Sequence, residues 1–212
     1  MPKRAAIILS LFCCMAPHAH AAHFEASVKT PAGQAVENAA VVLDPVNGKA
    51  PSSRNRERIE QRDREFVPYL TIVQKGTTVD FPNRDKIKHH VYSFSPAKTF
   101  ELKLYGGEQA RPVTFDQLGE IALGCNIHDW MEAHVLVVDT PWFAKTGAKG
   151  LAGIPSVPPG FYRLRLWHPQ QKTAAENRVI EITKAGTVRL DLTLDIAPRV
   201  LHPKPPADYG EY

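Results

Sequence analysis

Cys125, His128 and Met131 stand three residues apart within "LGCNIHDWMEAHV", residues 123–135. No other stretch of the 212-residue chain gathers as many soft and borderline metal ligands. The spacing C-x2-H-x2-M puts a thiolate, an imidazole and a thioether on one tight loop, between a strand ending near Leu123 and another beginning near Ala133. Such a loop can turn all three towards one point. A fourth donor must come from elsewhere, and the source at hand is His89-His90 on an upstream strand. Side chains alternate along a strand, so His89, Val91 and Ser93 share one face and His90, Tyr92 and Phe94 the other. If Val91 packs inward, His89 faces the loop, although Phe94 also claims a core position.

Chemistry narrows the metal. Two imidazoles, one thiolate and a weak thioether match a trigonal His2Cys copper site with a long axial methionine. Zinc accepts two His and one Cys but gains almost nothing from methionine. A centre with two bridging thiolates needs a second cysteine. Taken singly, each residue has an ordinary role: a lone Cys is a small buried hydrophobe and a lone Met fills core. It is the joint spacing that selects copper. His134, His168 and His202 fall outside the pattern and are expected to face solvent.

The remaining cysteines, Cys13 and Cys14, lie in an apolar run, "AAIILSLFCCMA", between Lys3-Arg4 and "AHA" at 19–21. That is the layout of a secretory signal, too short to span a bilayer, and cleavage is expected after Ala21. A lipoprotein signal is the rival, but "SLFCC" lacks the small residues expected before a lipidated cysteine. Losing Lys3 and Arg4 lowers Lys+Arg from 26 to 24 against 22 acids, a net charge of about +2. So even a balance points to neither nucleic acid nor an anionic membrane surface. The exported chain, expected in the periplasm, keeps Cys125 alone and so has no disulfide of its own.

The elements that position these residues read as strands. "FEASVKT", a turn at "PAGQ" and "AVENAAVVLDP" come first. Residues 50–65 carry five arginines among four acids and read as a solvated linker or short surface helix. "YLTIV" and "TTVDF" flank a Gly76 turn, with Val79 and Phe81 on one face. "HHVYSFS", "FELKLYG", "RPVTFDQLGEIALGC" and "AHVLVVD" follow. No helical period persists, and the fold class expected is all-β, a Greek-key β-sandwich with a further small β-sandwich. Residues 140–160 read as a looser stretch, followed by two long strands, "FYRLRLWHP" and "RVIEITKAGTVRLDLTL". Residues 196–212 read as an extended Pro-rich tail.

Over roughly residues 60–139 the sequence resembles the cupredoxins of the plastocyanin and amicyanin group. "IVQKGTTVDFPNRD" is similar to their strand-glycine-strand segment ending in Asn, "HHV" to their His-Asn-Val, and "GCNIHDWM" to their ligand loop. The run "FPNRDKIKHHVYSFSPAKTFELKLYG" resembles bacterial proteins labelled methylamine-utilization or plastocyanin-like. The resemblance implies one type 1 copper held by His89, Cys125, His128 and Met131. It also implies that Asn83 pins a loop backbone. His90 stands where the family has an Asn whose hydrogen bond steadies the Cys-bearing loop, and Asp129 where amicyanin-like loops have Pro. His128 and Trp130 would face a partner. The flanks resemble a transthyretin-like or carboxypeptidase-regulatory-like sandwich. The layout expected is therefore a signal over 1–21, a sandwich split between 22–50 and 141–195, and a cupredoxin domain at 55–140.

The function expected is transport of single electrons to or from a redox protein (a cytochrome c, a dehydrogenase or an oxidase). The alternative is a copper-binding, storage or delivery module. An enzyme with an N-terminal copper brace would need cleavage after Ala22 to free His23, against the "AHA" preference. No nucleophile elbow, phosphate loop or carboxylate pair suggests catalysis.

Overall fold

The structure, a computed structural model, describes residues 21–107, 110–174, 177–183 and 186–200. The expected signal and His202 lie outside these. Every regular element among the described residues is a strand, and no helix there is long and apolar enough to cross a membrane.

Strands β1 (Ala22–Lys29) and β2 (Ala40–Pro45) come first, followed by three short ones, β3 (Arg56–Arg58), β4 (Glu60–Arg62) and β5 (Glu65–Val67). Next are β6 (Leu70–Gln74), β7 (Thr77–Asp80), β8 (His89–Ser95), β9 (Lys98–Tyr105), β10 (Val113–Phe115), β11 (Gly119–Gly124) and β12 (Glu132–Val138). The chain closes with β13 (Phe143–Lys145), β14 (Leu151–Val157), β15 (Gly160–Trp167), β16 (Arg178–Ile182) and β17 (Thr187–Thr193).

The middle of the chain builds a five-stranded sheet, β6-β12-β11-β8-β9, facing a three-stranded one, β10-β7-β3. Their inward faces share one core, with Val79, Phe81, Val91, Phe115, Ile121 and Val135 all buried. The flanks build two further sheets, β14-β1-β17 and β13-β2-β15-β16, over a core that includes Phe24, Val28, Leu43 and Leu164. All strand partners of β1 and β2 therefore come from beyond residue 142. A third cluster joins the sheets' outer faces: Ala40 and Val42, Leu70 and Ile72, Leu136 and Val138, and Trp167.

Three expectations are corrected. Residues 50–65 are not a linker or a helix, because they hold β3, β4 and the start of a hairpin to β5. Their charges lie outward and paired, as between Arg56 and Asp80, while Ile59 and Gln61 are wholly buried. Residues 140–160 are not loose, because β13 pairs with β2 and β14 with β1. Gly150 permits that approach: its φ is +71°, and an added Cβ would sit 2.4 Å from the Val28 carbonyl oxygen. Finally, "RVIEITKAGTVRLDLTL" is two strands in different sheets, β16 beside β15 and β17 parallel to β1.

Candidate metal centre

His89 opens β8, and the strand's alternation decides its direction: His89, Val91 and Ser93 are buried while Phe94 is 79% exposed. Cys125 follows the last residue of β11, and Met131 precedes the first of β12. The two strands pair in register from Gly119↔Val137 to Gly124↔Glu132, which closes residues 125–131 into a short loop. Within it the Met131 N–H donates to the His128 carbonyl at 2.9 Å, a turn that sets Met131 beside His128.

The donor atoms converge. Cys125 Sγ lies 3.7 Å from His128 Nδ1 and 4.0 Å from His89 Nδ1. One ligand atom from each of the three lies within 4.8 Å of the others. Atoms held 2.0–2.3 Å from one ion and spread trigonally are about 3.7 Å apart, so the spacing fits a shared metal. All three residues are buried. Met131, 2% exposed, packs in the same core cluster as Cys125. Two imidazoles, a thiolate and a neighbouring thioether point to one copper ion.

Residues around the triad set its chemistry. His89 Nε2 lies 2.7 Å from Asp85 Oδ2. An ionised carboxylate only accepts hydrogen bonds, so Nε2 carries the hydrogen and Nδ1 keeps its lone pair towards Cys125. Asp85 is itself held, its two oxygens accepting from the Asp63 and Arg64 N–H groups at 2.7 and 2.9 Å. Burial alone would push this carboxyl up. The hydrogen bonds from Arg64, His89 and Asp63 outweigh it, and the net shift is down. Burial also lowers the His128 imidazole, the Arg64 charge adding to it and the Asp85 charge opposing it, which favours the neutral ring that can donate a lone pair.

Asn83 pins the loop before His89: its Nδ2 donates to the Ile87 and Tyr105 carbonyls, and its Oδ1 accepts the Asp85 N–H. His90 points away from the triad. It stacks towards Tyr92 at 5.8 Å, and its Nε2 sits 3.0 Å from Glu101 without aligned hydrogen-bond geometry. His128 is 8% exposed, with the Trp130 ring 5.0 Å from its own. Asp129 is exposed.

Two bystander histidines do not face solvent as expected. His134 lies between Tyr69 and Trp167, and His168, 5% exposed, meets the Glu37 carbonyl at 3.1 Å. His134 is covered where the middle and flanking sheets meet, and His168 by the Glu37 and Gln170-Gln171 segments beside it. Asp85 was not singled out by sequence at all. The one signal for it was its place four residues before His89, a spacing with meaning only once the intervening loop is known to fold back.

No family model matches the chain, nor does any curated protein. Among solved structures, the chain is similar to a Cu-containing nitrite reductase from Thermus scotoductus SA-01, at 22% identity over 45% of this chain and TM-score 0.38. It spans only 25% of that reductase. It is similar to a purple cupredoxin from Nitrosopumilus maritimus at 20% identity, over 39% of this chain and 99% of that one, TM-score 0.35. A reduced Cu(I) form of an amicyanin variant gives 19% identity over 46% and 98%, TM-score 0.37. Likeness at these scores carries no weight of its own, and what the site can hold follows from its donor atoms.

Proposed function

We propose that this chain is an exported, periplasmic type 1 copper protein that carries single electrons between redox proteins and is not an enzyme. The observation that carries the reading is the buried convergence of His89, Cys125 and His128 beside Met131. A copper ion held there would exchange one electron between Cu(II) and Cu(I). The chain's own residues keep water from the donor atoms, and Asp85 fixes which nitrogen His89 offers. Ligands held on paired strands and a short loop resist rearrangement between the two oxidation states.

The domain layout belongs to the same proposal: one sandwich, built from 22–50 and 141–195, interrupted by the cupredoxin domain at 55–140. The pairing of β1 and β2 with late strands supports it. Storage or delivery of copper is the competing function, and burial of all three ligands speaks against easy release. The test is direct. Chain loaded with Cu(II) should show an intense visible thiolate-to-copper absorption, a reversible one-electron wave and slow loss of copper to a chelator. A colourless, redox-silent complex would sink the proposal.

A further inference from the structure

The hairpin turn between β4 and β5 reaches each histidine of the centre through one intervening side chain, Asp85 or Trp130. Its two residues, Asp63 and Arg64, both have φ of +56°. Two successive left-handed residues make the tight two-residue turn that suits a hairpin, where Gly, Asn or Asp is the usual choice. Arg is an uncommon occupant of that conformation, and strain of this kind persists where the surroundings over-determine it. Here three backbone groups of the turn have partners at the metal centre. The N–H groups of Asp63 and Arg64 donate to the two oxygens of Asp85, and Asp85 accepts from His89. The Arg64 carbonyl accepts from Trp130 Nε1 at 3.0 Å, and the Trp130 ring lies against His128.

We propose that the Asp63-Arg64 turn is a backbone clamp that fixes both imidazoles at once, His89 through Asp85 and His128 through Trp130. The connection is continuous: both peptide groups of Arg64 lie on the path from one imidazole to the other. Asp85 and Trp130 are positioning residues, and the clamp rests on the reading of His89 and His128 as copper ligands. Groups that orient metal-bound histidines through the distal ring nitrogen also strengthen them as donors. A carboxylate in that place favours the higher charge of Cu(II). Because the turn acts through its backbone, its conformation holds the clamp, and the Arg64 side chain adds only a charge felt at His128. Glycine keeps both the positive φ and the peptide groups.

The test uses the full chain. In the metal-free protein above pH 8, nitrogen NMR should find His89 as the Nε2–H tautomer. In the copper-loaded protein, Asp85→Asn should weaken Cu(II) binding about 10–100-fold and weaken Cu(I) less. Each tenfold difference between the two raises the potential by about 59 mV for one electron. Arg64→Gly should keep the thiolate-to-copper absorption and shift the potential less than Asp85→Asn and in the opposite sense, because only a positive charge felt by His128 is lost. Trp130→Phe keeps the ring and removes the N–H donor. If the turn is one unit, the double variant Asp85→Asn with Trp130→Phe should shift the potential by no more than the larger single change. Additive shifts would overturn the clamp, as would an Nδ1–H tautomer at His89 or an Arg64→Gly shift matching that of Asp85→Asn. A missing thiolate-to-copper absorption in the unaltered protein would instead remove the copper reading, and the tautomer would still decide the clamp.

Discussion

Met131 is where packing and ligation make different forecasts for one substitution. The side chain is 2% exposed in the core beside Cys125, so its size matters whether or not sulfur meets a metal. Met131→Leu nearly conserves volume and should cost less than about 1.5 kcal/mol. At this chain length that lowers Tm by no more than about 6 °C. Met131→Ala leaves a cavity and should cost about 2–5 kcal/mol. If the thioether is a fourth donor, Met131→Leu also removes a ligand that Cu(II) uses more than Cu(I), and axial ligation is what tunes such a potential. The potential should then rise while the absorption persists, because Cys125 and both histidines remain. Thermal unfolding of the metal-free variants gives the packing term, and voltammetry of the loaded ones gives the ligand term. Should Met131→Leu keep the parent potential while Met131→Ala loses stability as forecast, Met131 is core filler and the four-ligand set is wrong.

Three other outcomes are expected. Burial lowers the pKa of His134 and of His168 below the ordinary 6.5, so the unfolded chain takes up protons first as pH falls. Stability present above about pH 6.5 should erode below it, by at most about 1.4 kcal/mol per pH unit for each histidine. Unfolding of the metal-free protein between pH 7.5 and 5.5 checks this, and a flat profile contradicts it. Deleting 141–212 removes every strand partner of β1 and β2. Limited proteolysis should then cut within 22–50 while 55–140 resists, and full protection of 22–50 would defeat the split sandwich. Trp167→Ala, at an 8% exposed position between the sheets, should cost about 3–5 kcal/mol and leave the copper potential unchanged.

The ligand loop was legible because its chemistry is local: C-x2-H-x2-M needs only the strand ends at Gly124 and Glu132 to be nearly right. His89 was legible because it shares a buried face with Val91 and Ser93, while Phe94 on the other face is exposed and His90 there is covered beside Glu101. The supports of the site were not. In 50–65 the charged residues outnumber Ile59 and Gln61, so a strand pair reads as a solvated run. The charges are in fact arranged along its outer side, Arg84 reaching Glu60 and Arg56 reaching Asp80. Asp85 carries no pattern of its own, since its role depends on N–H groups that a distant turn happens to aim at it. His134 was misread for a different reason: alternation says which face of β12 it occupies, but not that Trp167 from the other sandwich covers that face.

That cover bears on how the centre is held. Along β12, Ala133, Val135 and Val137 enter the core shared with Cys125 and Met131, while Leu136 and Val138 enter the cluster with Trp167. The parallel neighbour β6 is divided in the same way, Val73 to the first and Leu70 and Ile72 to the second. A strand packed on both faces is the least free to shift, and Met131 directly precedes this one. The loop 125–131 is thus anchored at its far end by the second sandwich, whereas the imidazoles take their orientation from Asp85 and Trp130. The two supports share no side chain. Loss of the interface should therefore appear as instability of the whole chain, and loss of the hairpin contacts as a change in the metal's electronic properties.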